Sequence, residues 1–344
     1  MKTGLITGIS GQGGAYLAKS LLDNGYQVIG TTRDHRQTNT GSLKNLGILD
    51  QLTLLSLDMQ NSQSVLDLID QLRPDEIYHL AAPSSVARSF QEPSQTIYSI
   101  VLTTVNLLEA IRKTDVSIPC FIATSTEMFG DCAHPANVNS PHNPRSPYGI
   151  GKSCAHYQAR NYREAYGLFA CSGVLSNFES PLRPRNYVTT KIVGTACKIA
   201  LGEVSKIELG NLSIRRDWGS AIEFMNAARL CLQQEQPNDY IIATGVTSSL
   251  KDFLKITFSC LDMDYEQYLV SKNSLLRPLD IRQTKCDISD TRTKLGWEAK
   301  MSLEQVISEM IYAELVSSVG DAKARSLLKI NSANVFRLSK ISTH

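Results

Sequence analysis

Three glycines spaced three residues apart, Gly8, Gly11 and Gly14, join a strand-like run to a helix-like run at the start of the chain. Leu5 to Thr7 reads as a strand, and Ala15 to Asp23 carries Leu17, Leu21 and Leu22 at helical spacing. Glycines at such a junction let the backbone approach a pyrophosphate, whose charge the helix N-terminus favours. The spacing is Gly-x-x-Gly-x-x-Gly rather than Gly-x-Gly-x-x-Gly, so its place between strand and helix carries the reading. It predicts a dinucleotide site with Gly8, Gly11, Gln12 and Gly14 at the cofactor.

The pattern continues. Strands are predicted at Tyr26–Gly30, Leu52–Leu57, Glu76–Ala81, Pro119–Ala123 and Leu168–Val174. Helices are predicted at Ser62–Leu72, Pro93–Lys113 and Tyr148–Tyr166. This alternation predicts an α/β fold, a Rossmann-type doubly wound parallel sheet covered by helices on both faces. The less regular second half, with helices at Val188–Ala200, Ser220–Gln234, Leu250–Leu261 and Leu303–Leu315 and a strand at Tyr240–Thr244, predicts a smaller mixed α/β substrate lobe. The expected division is a cofactor domain over 1–176, taking back 215–245, and a substrate lobe within 177–344. The stretch after Ser332 has little periodicity.

Ligands in such sheets bind outside the carboxyl ends of the strands, so residues at predicted strand ends are candidates for the site. The second strand leads into Arg33 and Asp34. An arginine here accommodates a 2'-phosphate and an acid a free ribose, which favours NADP through Arg33 without excluding NAD. Asp58 either caps the next helix or reaches the adenine. Ala81 and Ser84 are expected along the cofactor, and Ser85 at the substrate. Ser125 and Glu127 end the fifth strand. Tyr148 and Lys152, four apart, share one helical face. The ammonium is expected to lower the phenol pKa, so that Tyr148 acts as a base with Ser125 on the same substrate oxygen. Simple dehydrogenation needs only those three. The added carboxylate of Glu127 points to removal of a proton beside a transient ketone, followed by elimination.

A net charge of +2 with no basic stripe gives no reason to expect nucleic acid. The eight cysteines lack Cys-x-x-Cys or paired histidine spacing, so neither a metal site nor a disulfide framework is expected. No signal-peptide pattern precedes the first strand and no apolar run approaches membrane-spanning length, which predicts a cytoplasmic protein without membrane partners.

These motifs resemble the extended short-chain dehydrogenase/reductases, and within them the GDP-mannose 4,6-dehydratases. The likeness runs through Thr124–Gly130, Pro144–Gly149, Asn161–Glu164, Asn177, Glu179–Arg183, Arg216–Gly219, Gln233–Pro237, Ala243–Val246, Arg277–Pro278 and Leu295–Trp297. The resemblance implies a GDP-sugar 4,6-dehydratase, a hydro-lyase. Tyr148 would take the O4 proton, Ser125 would orient O4, Lys152 would serve the ribose and the tyrosine, and Glu127 would take the C5 proton and assist loss of the C6 hydroxyl. It places Asn177, Glu179, Lys191, Arg216 and Arg277 around GDP, and Arg183 at the cofactor and a subunit contact. It implies a homodimer or homotetramer. Departures from the family pattern are Ser125 for threonine, Gly13 for aspartate, Asp34 for a second arginine, Ser176 and Phe178 flanking Asn177, Pro184 for glycine, Thr190 for arginine, and Leu279-Asp280 for Ala-Glu. They cluster near substrate and subunit contacts. GDP-mannose is the first expectation, another GDP-sugar such as a GDP-heptose the second, and a sugar-nucleotide 4-epimerase the third. The epimerase needs no carboxylate at position 127.

Overall fold

A computed structural model describes residues 1–272 and 278–328. The first half runs β1 (Thr3–Thr7), α1 (Gln12–Asp23), β2 (Gln27–Thr32), α2 (Gly41–Asn45), β3 (Thr53–Ser56), α3 (Ser62–Leu72), β4 (Glu76–His79), α4 (Val86–Gln91), α5 (Pro93–Thr114), β5 (Cys120–Ser125), α6 (Pro147–Tyr166) and β6 (Ala170–Leu175). Local chemistry fixes the helix starts. Asn61 accepts the Ser64 N–H at the head of α3, and Ser146 accepts the Gly149 N–H at the head of α6, with Pro147 in the first turn.

The second half runs β7 (Asn177–Glu179), α7 (Val188–Ala200), β8 (Ile207–Leu209), β9 (Arg215–Arg216), β10 (Trp218–Ser220), α8 (Ala221–Cys231), β11 (Asp239–Ile242), β12 (Ser248–Ser249), α9 (Leu250–Ser259), β13 (Leu269–Ser271), α10 (Ser289–Leu295), α11 (Leu303–Val319) and α12 (Asp321–Leu327). The strands of two or three residues escape a periodicity reading because they are shorter than one full alternation. Helix α8 is shorter at both ends than the apolar pattern suggested.

Seven strands form one parallel sheet in the order β11-β6-β5-β4-β1-β2-β3. Its inner strands are buried along almost their whole length because helices cover both faces, while the edge strand β3 stays partly open. Leu5, Ile77, Cys120 and Ile122 pack with Val65, Leu107, Leu108 and Ala155 from α3, α5 and α6. Ile6, Val28, Tyr78 and Phe121 pack with Leu17 and Leu21 of α1 and Phe224 and Met225 of α8. The chain therefore leaves the sheet after β6 and returns to it through α8 and β11. A second core joins α7, α9 and α11 around Ile192, Phe253, Phe258 and Ile311. At the amino edge of the sheet the buried Glu76 accepts bonds from Lys2, Tyr26, Tyr78 and Gln233. The strand order reverses between β1 and β4, which opens a crevice at the carboxyl edge.

Candidate active site

The crevice begins at the glycine turn. Gly8 has φ +78°, and a Cβ there would stand 2.8 Å from the Cα of Ala81. The loops after β1 and β4 touch at this point, so no side chain fits. Gly11 heads α1 without a side-chain cap, which leaves the first amides of the helix free of side-chain competition. The side chain of Gln12 donates to Phe178 O (3.0 Å) and accepts from Ser180 Oγ (2.7 Å), tying the turn to the segment that follows β6. Beyond β2, Arg33 is exposed and has no partner among the described residues. Asp34 instead turns its carboxylate onto the Arg36 N–H at 3.0 Å, closing its own loop. The Thr32 hydroxyl beside them is buried without a hydrogen-bond partner.

Strand β5 and helix α6 bring Ser125, Glu127, Tyr148 and Lys152 together. The Lys152 Nζ donates to Ala123 O at 2.6 Å and lies 5.8 Å from the centre of the Tyr148 ring. The Tyr148 hydroxyl hydrogen-bonds that of Ser125, which also accepts the Glu127 N–H at 3.3 Å. A Cβ at Gly149 would lie 2.8 Å from the Glu127 carbonyl oxygen, so this glycine is what lets α6 close on the Glu127 turn. The Glu127 side chain points inward. Its Oε1 lies 3.6 Å from Arg216 Nε, and its charge reaches Tyr148.

The electrostatics correct one expectation. The Tyr148 phenol is raised, not lowered: desolvation dominates, Ser125 opposes it, and the negative field of Glu127 adds to it. Lys152 does not act as the expected lowering charge: burial depresses its own pKa to about 8, and its ammonium donates to the Ala123 carbonyl. A third buried group, His79, carries no sequence motif. It lies between the hydroxyls of Thr7 (2.8 Å) and Thr103 (3.3 Å), and desolvation followed by the Lys152 charge lowers its pKa to about 3.

Across the crevice the Arg183 guanidinium lies 3.7 Å from the centre of the Tyr187 ring and pairs with Glu179 at 3.4 Å. The Tyr187 hydroxyl meets Ser84 Oγ at 2.7 Å, bridging the loop after β4 to the start of α7. No periodicity or motif marked Tyr187, since only tertiary folding brings it to Ser84.

A family model described as GDP-mannose 4,6 dehydratase matches residues 5–310. The chain belongs to the GDP-mannose 4,6-dehydratase family. Among its relatives, "GDP-mannose 4,6 dehydratase 1" of Arabidopsis thaliana is 37% identical over 91% of this chain and 90% of its own length. The GDP-mannose 4,6-dehydratase of Yersinia enterocolitica is 34% identical over 97% of this chain and 98% of its own length. Solved structures of similar fold include a UDP-glucose 4-epimerase of Thermotoga maritima (TM-score 0.80, 22% identity, 90% of this chain and 98% of that one). They also include a dTDP-glucose 4,6-dehydratase of Streptomyces venezuelae with NAD bound (TM-score 0.80, 20% identity, 92% and 98%).

For this member of the family, the remaining expected residues divide. Ser85 caps α4 through the Arg88 N–H (3.2 Å). Asn177 stands half-buried in β7, paired beside Trp218 of β10. Lys191 is committed to the Glu208 carbonyl at 2.6 Å. Glu179 was expected around GDP but is turned into the protein, 1% exposed, accepting the Thr189 hydroxyl at 2.8 Å. Arg216 was also expected there but is 3% exposed and taken up by Glu127, Asp280 and the Ile281 carbonyl. Asp58 does not cap α3, because Asn61 occupies the cap position; Asp58 accepts the Gln60 N–H instead. Arg277 lies outside the described residues. Among the described residues no cluster of three or more His, Cys, Asp or Glu can hold a metal, and no helix is long and apolar enough to cross a membrane. All eight cysteines are free thiols.

Proposed function

We propose that this chain converts GDP-mannose to GDP-4-keto-6-deoxymannose as an NADP-dependent hydro-lyase. One observation carries the chemistry: the buried carboxylate of Glu127 and the buried Ser125 hydroxyl both act on the Tyr148 phenol. The glycine cradle at Gly8, the uncapped start of α1 and the open Arg33 fit a dinucleotide with its pyrophosphate at Gly8, Gly11 and Gly14. Arg33 is free while Asp34 is occupied by its own turn, which supports a 2'-phosphate on the ribose. When bound, the nicotinamide accepts hydride from C4 and returns it to C6.

The chain's own groups move the protons. Tyr148 takes the O4 proton while Ser125 holds O4. The resulting ketone acidifies C5, and Glu127 removes that proton. The C5–H electrons form the C5–C6 double bond as the C6–O bond breaks, and Glu127 returns its proton to the departing hydroxyl as water. A proton added at C5 completes the product, with no net oxidation. Each positioned acid or base contributes on the order of 10² to 10⁴ in rate. The raised phenol of Tyr148 favours the protonated state before turnover. The positive ring of an oxidised nicotinamide bound beside the phenol would lower it toward the working range.

Asn177, Lys191 and Arg277 are proposed for GDP, and Arg183 with Ser84 and Ala81 for the cofactor side. The cofactor domain is proposed over 1–176 with 215–245 returned to it. Helices α5 and α6 expose Tyr98, Ile150, Tyr157 and Tyr166, which supports helix pairing in a homodimer. Mass analysis of GDP-mannose incubated with the purified protein tests the reading. Loss of one water is expected; unchanged sugar, or an isomer of equal mass, contradicts it. The same assay with a GDP-heptose separates the second sugar from the first.

A further inference from the structure

Tyr187 stands at the head of α7 with its backbone fixed from both sides. Its N–H donates to Pro184 O (3.3 Å), and its carbonyl accepts the Lys191 N–H (2.9 Å) and the Thr190 hydroxyl (2.9 Å). The turn before it is tied down by Arg185, whose guanidinium makes paired bonds to the Glu314 carboxylate of α11 at 2.8 and 3.0 Å. From this extended cap position the side chain runs against the Arg183 guanidinium (3.7 Å) to the loop after β4, where its hydroxyl meets Ser84 Oγ at 2.7 Å. The Tyr148 phenol is within reach of both groups: the Tyr187 phenol and the Arg183 charge act on it.

We propose that the Tyr187 hydroxyl is a further substrate contact, hydrogen-bonding a hydroxyl of the hexose while Ser84 holds it in place. The proposal rests on the reading of Tyr148 as the group that meets O4, because that reading puts the sugar in the space Tyr187 borders. Two hydroxyls bonded to each other use one O–H and keep the second, together with free lone pairs. Among the described residues neither the Ser84 nor the Tyr187 hydroxyl has another hydrogen-bond partner. A sugar hydroxyl is itself both donor and acceptor, so it completes such a pair in either direction. A diphosphate only accepts and is best met by charged donors, which this pair lacks. The stacked guanidinium already holds the Tyr187 ring, so little rotamer freedom is lost when the sugar binds.

The test compares full-length wild type with Tyr187→Phe, which removes the hydroxyl and keeps the ring against Arg183. With NADP added, calorimetry reads affinity for GDP and for GDP-4-deoxy-4-fluoromannose, which has no O4 proton to lose and stays unreacted. NADP affinity is titrated separately. Tyr187→Phe should weaken the fluoro-sugar by about three- to tenfold, the worth of one neutral hydrogen bond. Affinity for GDP and for NADP should stay within about twofold. An unchanged affinity for the fluoro-sugar overturns the proposal. So does an equal loss for GDP, which would place the hydroxyl at the nucleotide, or an equal loss for NADP, which would place it at the cofactor. Wild type that binds the fluoro-sugar yet removes no water from GDP-mannose overturns the proposed reaction, and the comparison with Tyr187→Phe still decides the contact. Wild type that binds neither GDP nor the fluoro-sugar overturns both.

Discussion

The Nζ of Lys152 lies 2.6 Å from the carbonyl oxygen of Ala123, two residues before Ser125 on the same strand. That bond locks helix α6 to strand β5 at the height where Tyr148 meets Ser125. It also removes the lysine from water, which is why its pKa falls to about 8.

Lys152 carries its charge below that value and loses it above. Affinity of the unliganded protein for the dinucleotide should therefore fall as pH rises through about 8. Lys152→Arg should carry the decline to higher pH, because a guanidinium stays charged. Lys152→Met should abolish the pH dependence and slow turnover by on the order of 10² or more. Fluorescence titration of the dinucleotide across pH checks the three affinities, and steady-state assay of Lys152→Met checks the loss of turnover. A pH-independent wild type contradicts the role of the ammonium.

Arg33 is the cation proposed to meet a 2'-phosphate on the cofactor ribose. Arg33→Ala should weaken NADP binding by about ten- to a hundredfold, the size expected for a charged hydrogen-bonding partner, and leave NAD binding nearly unchanged. Paired titrations of the two cofactors give the ratio directly. Equal losses for both would mean that Arg33 does not touch the 2'-phosphate.

His79 should make stability depend on pH. The unfolded chain protonates it near 6.5, whereas the folded protein resists until about 3. Its contribution is complete above about 6.5 and declines as pH falls through that window, because the unfolded state there binds one proton more. The slope from this group is up to about 1.4 kcal/mol per pH unit. Urea melts of wild type and His79→Gln between about pH 7 and pH 4 measure it. The variant should show the flatter dependence, and identical slopes would remove His79 from the account.

Much of this site follows short-range rules. A Gly-rich turn between strand and helix, residues at strand ends, and Tyr148 four before Lys152 on one helical face are consequences of local geometry. So the sheet, its carboxyl edge and the gathering of Ser125, Glu127, Tyr148 and Lys152 were legible. The Asp58 cap was a near alternative, lost because Asn61 sits at the correct offset from Ser64. Less legible was where the second-half charges would point. Glu179 and Arg216 look like any polar residue near a nucleotide until the fold buries both.

What the sequence by itself determined is the alternation of apolar strands and amphipathic helices, and the chemical identity of the groups at the strand ends. Those depend on spacing within a few residues. What only the tertiary structure decided is pairing across long separations: Arg216 against Glu127, Tyr187 against Ser84, and His79 between Thr7 and Thr103. Desolvation decided the rest, because the energy of a charge depends on what surrounds it in space, and no linear pattern records that.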